Sequence, residues 1–168
     1  MKRPRVPRGS SRMLWAAALL LSGAQAAIAA DSEAARPSLR GLTAFRVLVE
    51  QLGPKVEREG VLSREVLQAD VESRLAAAGI AVTKDAPALL YANVAVVCDR
   101  QNCAFNAALE VQQRVRLEHR PQAGSLIAPT WSTGVTGLVA RRPGLIRQNL
   151  REQVDQFIAA YRAANPAK

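Results

Sequence analysis

Cysteine and histidine are nearly absent from this 168-residue chain, which holds two of the first and one of the second. Two thiolates without further ligands fall short of a tetrahedral zinc set. The pair, Cys98 and Cys103, also lacks the C-x-x-C spacing of a redox enzyme. The single His119 sits in "LEHRPQ". No G-x-S-x-G nucleophile elbow exists for it to serve, so it reads as a surface residue. H-E-x-x-H, calcium-loop, G-x-G-x-x-G and Walker patterns are missing as well. "STGVTGLVARRPG" carries glycines but not the lysine and spacing of a phosphate loop. Asp70 and Glu72 are merely neighbours on a solvated helix face, not a catalytic carboxylate pair. No internal repeat occurs. The expectation is therefore a protein that is not an enzyme and has no cofactor and no metal.

Long apolar runs are also lacking. "MLWAAALLL" (13–21) is nine residues long, against the roughly 20 needed to span a bilayer. Acids are missing from the same region: Lys2, Arg3, Arg5, Arg8 and Arg12 precede the run, and "SGAQAAIAA" follows it. A basic head, a short apolar stretch and small residues form the layout of a secretory leader. Cleavage is expected after Ala29 or Ala30, with Ala24-Gln25-Ala26 as a second candidate. The leader has no adjacent arginine pair and no cysteine near its end, so neither twin-arginine export nor N-terminal lipidation is indicated. Beyond residue 30 the chain carries eighteen basic and fourteen acidic residues, so its net charge is +4 rather than the +9 of the full sequence. That charge is ordinary for a soluble domain and gives no support for nucleic acid as a partner. An exported chain without a transmembrane segment in its mature part is expected in the periplasm or outside the cell, where disulfides form.

The periodicities predict one domain. Residues 31–38 read as a flexible lead and 39–166 as a single α+β domain. In "LTAFRVLVEQL" (42–52), Phe45, Val47 and Val49 alternate with Arg46 and Glu50 as in a half-buried strand. "GPKVEREG" breaks it. Ser63 is placed to cap a helix over "REVLQADVESRLAAAG", with Leu67, Val71 and Leu75 on one face and Asp70–Arg74 as an i,i+4 pair. Gly79 is its left-handed stop, with Ile80 behind. A short strand follows at 80–82, then strands at 89–98, 103–119 and 128–140. The last helix (143–166) carries the stripe Ile146, Leu150, Val154, Phe157, Ile158 and Tyr161. The order β-α-(β)-β-β-β-α predicts a two-layer sandwich: a largely antiparallel sheet of four or five strands, with both helices on one face.

The two cysteines fix the register of the central hairpin. Setting Cys98 opposite Cys103 pairs Val96 with Phe105, Val94 with Ala107, Ala92 with Leu109 and Leu90 with Val111. All are apolar on both sides, and a slip of one residue would mix the faces. The register that buries the most apolar surface is thus the one that allows a Cys98–Cys103 disulfide.

Two features remain as candidate sites. Arg141, Arg142 and Arg147 surround the start of the last helix, where free N–H groups and arginines would favour an anion such as a lipid head group. The other is the polar sheet face, with Tyr91 at its edge, as a partner surface.

The strings "LRGLTAFRVLVEQL", "SREVLQADVESRLAAAGI", "LYANVAV" and "TWSTGVTGLV" with the closing helix resemble a family of small uncharacterised secreted bacterial proteins. The element order is similar to the lipopolysaccharide-assembly lipoprotein LptE and to the N-terminal domain of TolB. That resemblance implies a non-enzymatic binding or accessory role in the cell envelope, with an unknown envelope protein or ligand as partner. The alternative is a small-ligand or anionic lipid-binding protein using the Arg141/Arg142 region. The chain lacks the lipidation cysteine of the LptE pattern, and no functional residue carries over. N-terminal sequencing of the exported protein should begin near Ala30 or Asp31; intact Met1 in the mature species would overturn the leader.

Overall fold

The computed structural model describes residues 27–29, 33–60, 62–140 and 142–166. Most of the expected leader, residues 1–26 and 30, lies outside them. The described chain forms β1 (Ala27–Ala29), β2 (Ala44–Val49), α1 (Pro54–Arg58), α2 (Arg64–Ala77), β3 (Ala81–Val82), β4 (Ala88–Cys98), β5 (Asn102–Arg116), β6 (Ser125–Ala140) and α3 (Pro143–Ala164). Two short 3-10 helices, Glu33–Leu39 and Pro121–Ala123, complete it. The architecture is the expected α+β sandwich, with α2 and α3 packed on one face of the sheet.

The sheet runs β1-β6-β5-β4-β2-β3. It is mixed: β2 lies parallel to both β3 and β4, while β4-β5-β6 and β1-β6 are antiparallel. The parallel pairing follows from chain direction, because α2 returns the chain to the sheet end where β2 began. The β4–β5 ladder has the register expected from the apolar pairs, from Leu90 opposite Val111 through Val96 opposite Phe105 to Cys98 opposite Cys103. On the helix side, Phe45, Leu90, Ala92, Leu109, Val111 and Trp131 are essentially inaccessible. The α3 stripe Ile146, Leu150, Val154 and Phe157 closes over them. The Phe157 ring meets Phe45 at 5.1 Å and Trp131 at 5.3 Å, both edge to face. Each such buried side chain contributes about 1.5–3 kcal/mol of transfer free energy. Gly137 lies under the Phe105 ring, where a Cβ would come within 2.8 Å of the ring edge.

Several local expectations give way to tertiary structure. The segment read as a flexible lead holds the 3-10 helix Glu33–Leu39. Leu39 is buried, and Ser38 Oγ donates to Thr130 O at 3.0 Å. "GPKVEREG" is not only a break. Pro54 occupies the first position of α1, where its missing N–H costs nothing, and Val56 is buried beneath. Ser63 is the N-cap residue of α2, but its hydroxyl donates to Glu65 at 2.6 Å instead of accepting a backbone N–H. Gly79 is left-handed, with Ile80 N–H donating to Leu75 O at 2.9 Å. β6 begins at Ser125, earlier than expected, and the loop before it is correspondingly short.

β1 falls inside the expected leader and pairs antiparallel with β6, Ala27 opposite Thr136. A cut after Ala29 or Ala30 would strip this strand from the β6 edge; a cut after Ala26 would leave it.

The disulfide is present, with S–S 2.06 Å and Cα–Cα 4.0 Å. Asp99 N–H donates to Asn102 O just beyond it, so Cys98 and Cys103 form a non-hydrogen-bonded pair, the position at which opposed Cα atoms lie closest. Two-residue hairpin turns favour positive φ, which neither Arg100 nor Gln101 adopts. Asp99 compensates: its carboxylate accepts from the N–H groups of Gln101 and Asn102 at 2.7 and 2.6 Å. Cys98→Ala should lower stability by about 2 kcal/mol, the closure entropy of so small a loop, and leave the topology intact. Denaturant titration with circular dichroism checks both; an unchanged midpoint would show that the bridge does not constrain the unfolded chain.

Candidate functional site

Of the three arginines expected around the start of α3, Arg141 lies outside the described residues. Arg142 is the exposed N-cap residue, with no side-chain cap. Arg147 faces elsewhere. Its Nε donates to Asp70 Oδ2 and its Nη2 to Asp70 Oδ1 at 2.7 Å. Arg151, one turn along, makes a second fork on the same carboxylate, at 3.1 Å to Oδ2 and 2.8 Å to Oδ1. Arg147 is therefore engaged with Asp70, and Arg142 stands at the start of α3.

This cluster replaces the expected Asp70–Arg74 pair. Asp70 leaves its own helix to take two planar guanidinium groups from α3, and Arg74 pairs with Asp155 at 2.6 Å. An exposed i,i+4 pair is worth a few tenths of a kcal/mol. Charge-assisted bidentate bonds to a carboxylate with only 12 % of its side chain exposed are worth more. Hydrogen bonding from Arg147, then from Arg151, holds the Asp70 carboxyl well below the usual carboxylate range, against the opposing effect of its burial. The arrangement joins α2 to α3.

The other candidate is the face of the sheet turned away from the helices. Glu50, just past β2, accepts from the Tyr91 hydroxyl and from Asn93 Nδ2. The neighbouring carboxylate makes the Tyr91 proton harder to remove. Asn106 Nδ2 donates to Thr136 Oγ1 at 2.9 Å across β5 and β6. Beside this polar middle runs an apolar row. Val97 is opposite Ala104, and Ala104 is opposite Leu138. Val97 is 77 % exposed and Leu138 70 %. The cysteine register places Val97 beside Ala104 on this face, and the β5–β6 ladder adds Leu138.

Hollows in the described surface are shallow, among them one of about 400 Å³ lined by Asp70, Ser73, Arg74, Ala77 and Arg151. An apolar one of about 250 Å³ lies between Gly53–Val56 and Val96–Cys98. Ligand pockets run from roughly 300 to 1,000 Å³. Shallow polar depressions of about 190 and 290 Å³ lie on the outer face. His119 is exposed in the β5–β6 turn. Among the described residues, no three His, Cys, Asp or Glu side chains gather as metal ligands would, and no helix is long and apolar enough to cross a membrane.

Neither a family model nor a curated protein matches the chain. Two solved structures of the PelC dodecamer from Paraburkholderia phytofirmans are similar. One, a point-substituted form, has a TM-score of 0.45 at 14 % identity over 70 % of this chain and 88 % of that one. The other has 0.43 at 14 % over 79 % and 95 %. At that level nothing of PelC is transferred to this chain.

The Asp70 cluster predicts an acid-sensitive link between the helices. A carboxylate whose folded pKa is depressed stabilises the fold fully above its unfolded value, about 3.9, and loses that contribution as pH falls below it. Asp70→Asn should cost about 2 kcal/mol at neutral pH, the usual worth of hydrogen bonds to a charged group. The gap between wild type and variant should narrow below about pH 4. Denaturant midpoints at neutral and acid pH measure it; a gap independent of pH would mean the carboxylate is not the link.

Proposed function

We propose that the chain is an exported, periplasmic binding or accessory protein of the cell envelope, without catalytic activity, whose partner docks on the outer face of the β4-β5-β6 sheet. The observation that carries this reading is the uncovered face itself: a hydrogen-bonded polar middle around Glu50, Tyr91 and Asn93 beside the exposed row of Val97 and Leu138. Single exposed apolar residues are ordinary, whereas aligned ones on a regular strand surface mark interaction sites. The hollows are open to solvent rather than enclosed, including the one of about 400 Å³ beside Asp70, which favours a macromolecular partner over an enclosed small ligand. The leader-like first thirty residues and the Cys98–Cys103 bridge support an oxidising compartment. The reading at the start of α3 keeps Arg142, but Arg147 is engaged with Asp70, so it has less support.

A photo-cross-linking residue at Ala104, between Val97 and Leu138 on the outer face, should capture an envelope component that the same residue at Gln148, on the exposed side of α3, does not. Val97→Asp with Leu138→Asp should abolish that capture while the circular dichroism spectrum stays native. Capture from Gln148 alone would place the partner on the helical layer and refute the reading.

A further inference from the structure

Charge is divided unevenly between the two ends of the sheet. The segments 33–46, 81–88, 112–129 and 162–166 meet at the end where β2 and β4 begin and β5 ends. Ala44 lies opposite Ala81, Phe45 opposite Ala88 and Leu89 opposite Gln112. Asn165 Oδ1 accepts from Gly41 N–H at 2.7 Å, and Gln113 Nε2 donates to Ser38 O at 3.0 Å. These segments hold eight Lys and Arg against three Asp and Glu, whereas the remaining described residues hold eight against ten. The net positive charge of the described fold thus lies at this end, +5 against −2 elsewhere. The ion pairs of Asp70, Arg74 and Lys55 lie outside these segments.

An arm projects from the same end. β4 pairs with β5 only as far as Gln112, so residues 113–116 of β5 and 125–128 of β6 pair with each other alone. Four residues of strand extend about 13 Å. A two-stranded ribbon of this kind is marginal in water by itself. It is nonetheless furnished with apolar side chains left outside. Ile127 is 58 % exposed and Leu126 39 %. The bulge at Val111/Gln112 sets their placement: Ile127 lies opposite Arg114 and Leu126 opposite Val115, so the two project from opposite sides of the ribbon. Arg114, Arg116 and Arg120 accompany them, with Glu118 the one acid, and 112–129 contains no Phe, Tyr or Trp.

We propose that this arm is a membrane-docking element that seats on a bilayer surface rich in anionic lipid, with Leu126 and Ile127 entering the interface and the arginines meeting the head groups. Cations alone would suit any polyanion. Exposed aliphatic side chains between them suit a surface that is charged outside and apolar beneath. Single-stranded nucleic acid would call for a platform of large aromatic rings, and the arm has no Phe, Tyr or Trp to build one. The site lies at the opposite end of the sheet from Arg142. The proposal rests on the reading of the chain as an exported binding protein, and it names a partner that the outer face does not.

The test is sedimentation of the exported protein, its N-terminus defined by sequencing, with vesicles containing phosphatidylglycerol and with pure phosphatidylcholine vesicles. Every comparison is made within one preparation, so a retained leader would raise all variants alike. Binding should require phosphatidylglycerol and weaken as salt rises. Each arginine removed from an anionic surface lowers partition about fivefold, so Arg114→Glu with Arg116→Glu should lower it more than twentyfold. Arg114→Lys with Arg116→Lys should retain it. Ile127→Ser should weaken binding even at high salt, and Arg142→Glu should leave it unchanged. If the paired reversal disturbs the ladder by circular dichroism, Arg120→Glu, in the exposed turn, replaces it. Equal binding to neutral vesicles, or arm variants that bind as wild type, would overturn the proposal. So would capture by a soluble polyanionic polysaccharide with no vesicle binding, which would assign the arm to a polymer. Such a failure leaves the cross-linking result at Ala104 untouched, and failure of cross-linking leaves the vesicle result untouched.

Discussion

The register of the β4–β5 hairpin governs the rest of the structure. Side chains alternate with a period of two, so sliding one strand by a single residue would carry Leu109 and Val111 to solvent and Asn106 and Glu110 into the core. The apolar pairs already specify the correct alignment. The Cys98–Cys103 bridge and the Asp99 carboxylate fix it at the turn, where Arg100 and Gln101 supply no left-handed residue to do so. β4 and β5 are the two middle strands of the six. Their inward row therefore defines the floor on which Phe157 and the rest of the α3 stripe must fit. β6 then follows β5, down to the glycine that makes room for Phe105.

The helical layer has its own constraint. α2 and α3 are far apart in sequence, and Asp70 joins them through two guanidinium groups that share one carboxylate. Removing one charge there leaves the others partly desolvated, which is why a mixed-charge cluster of this kind fixes arrangement more than it adds net stability. A second polar contact runs from sheet to helix. Thr133, on the inward face of β6, meets the side-chain amides of Gln153 and Gln156 at 2.8 and 2.7 Å. Thr133 and Gln153 are each 2 % exposed, so an unpaired group at either position would carry its full desolvation cost. These polar links set where α3 lies along the sheet, which the apolar stripe alone would leave free to slide.

Legibility from sequence follows the range of the physics. The alternation of Phe45, Val47 and Val49, the stripe of α3 and the left-handed Gly79 are local signals, and each element forms where it was expected. The hairpin register was legible although it is long-range in effect, because two independent constraints agreed. The partner of Asp70 was not. A spacing of four offers Arg74, and nothing in the sequence says that Arg147 and Arg151 come within reach once two helices pack. Pro54 and Gly53 read as a break because the same residues that end a strand also start a helix. The arm was hidden for a related reason. The expected strand begins at residue 128, because the polar, glycine-bearing stretch before it reads as a loop, whereas β6 begins at Ser125 and its pairing with β5 continues past the bulge at Val111/Gln112. The Val97–Ala104 half of the exposed row follows from the sequence register, whereas Leu138 joins it only through the β5–β6 ladder of the structure.

The same lesson applies to charge. A net value of +4 beyond residue 30 is unremarkable as a number, and read as a number it points to no partner. Distributed over the fold it becomes uneven, with a basic end that carries the ribbon of β5 and β6 and a remainder where acids and bases nearly cancel. An anionic surface would orient such a molecule before any contact forms, because the field of the excess cations reaches about a Debye length into solution. Held by the arm, the domain would stand with the long axis of β5 and β6 rising from that surface. The outer face of the sheet would then be presented sideways. A partner docked on Val97 and Leu138, at the far end of those strands, would not compete with the surface for space. Two binding areas on one continuous pair of strands thus need no hinge and no conformational change to be used together.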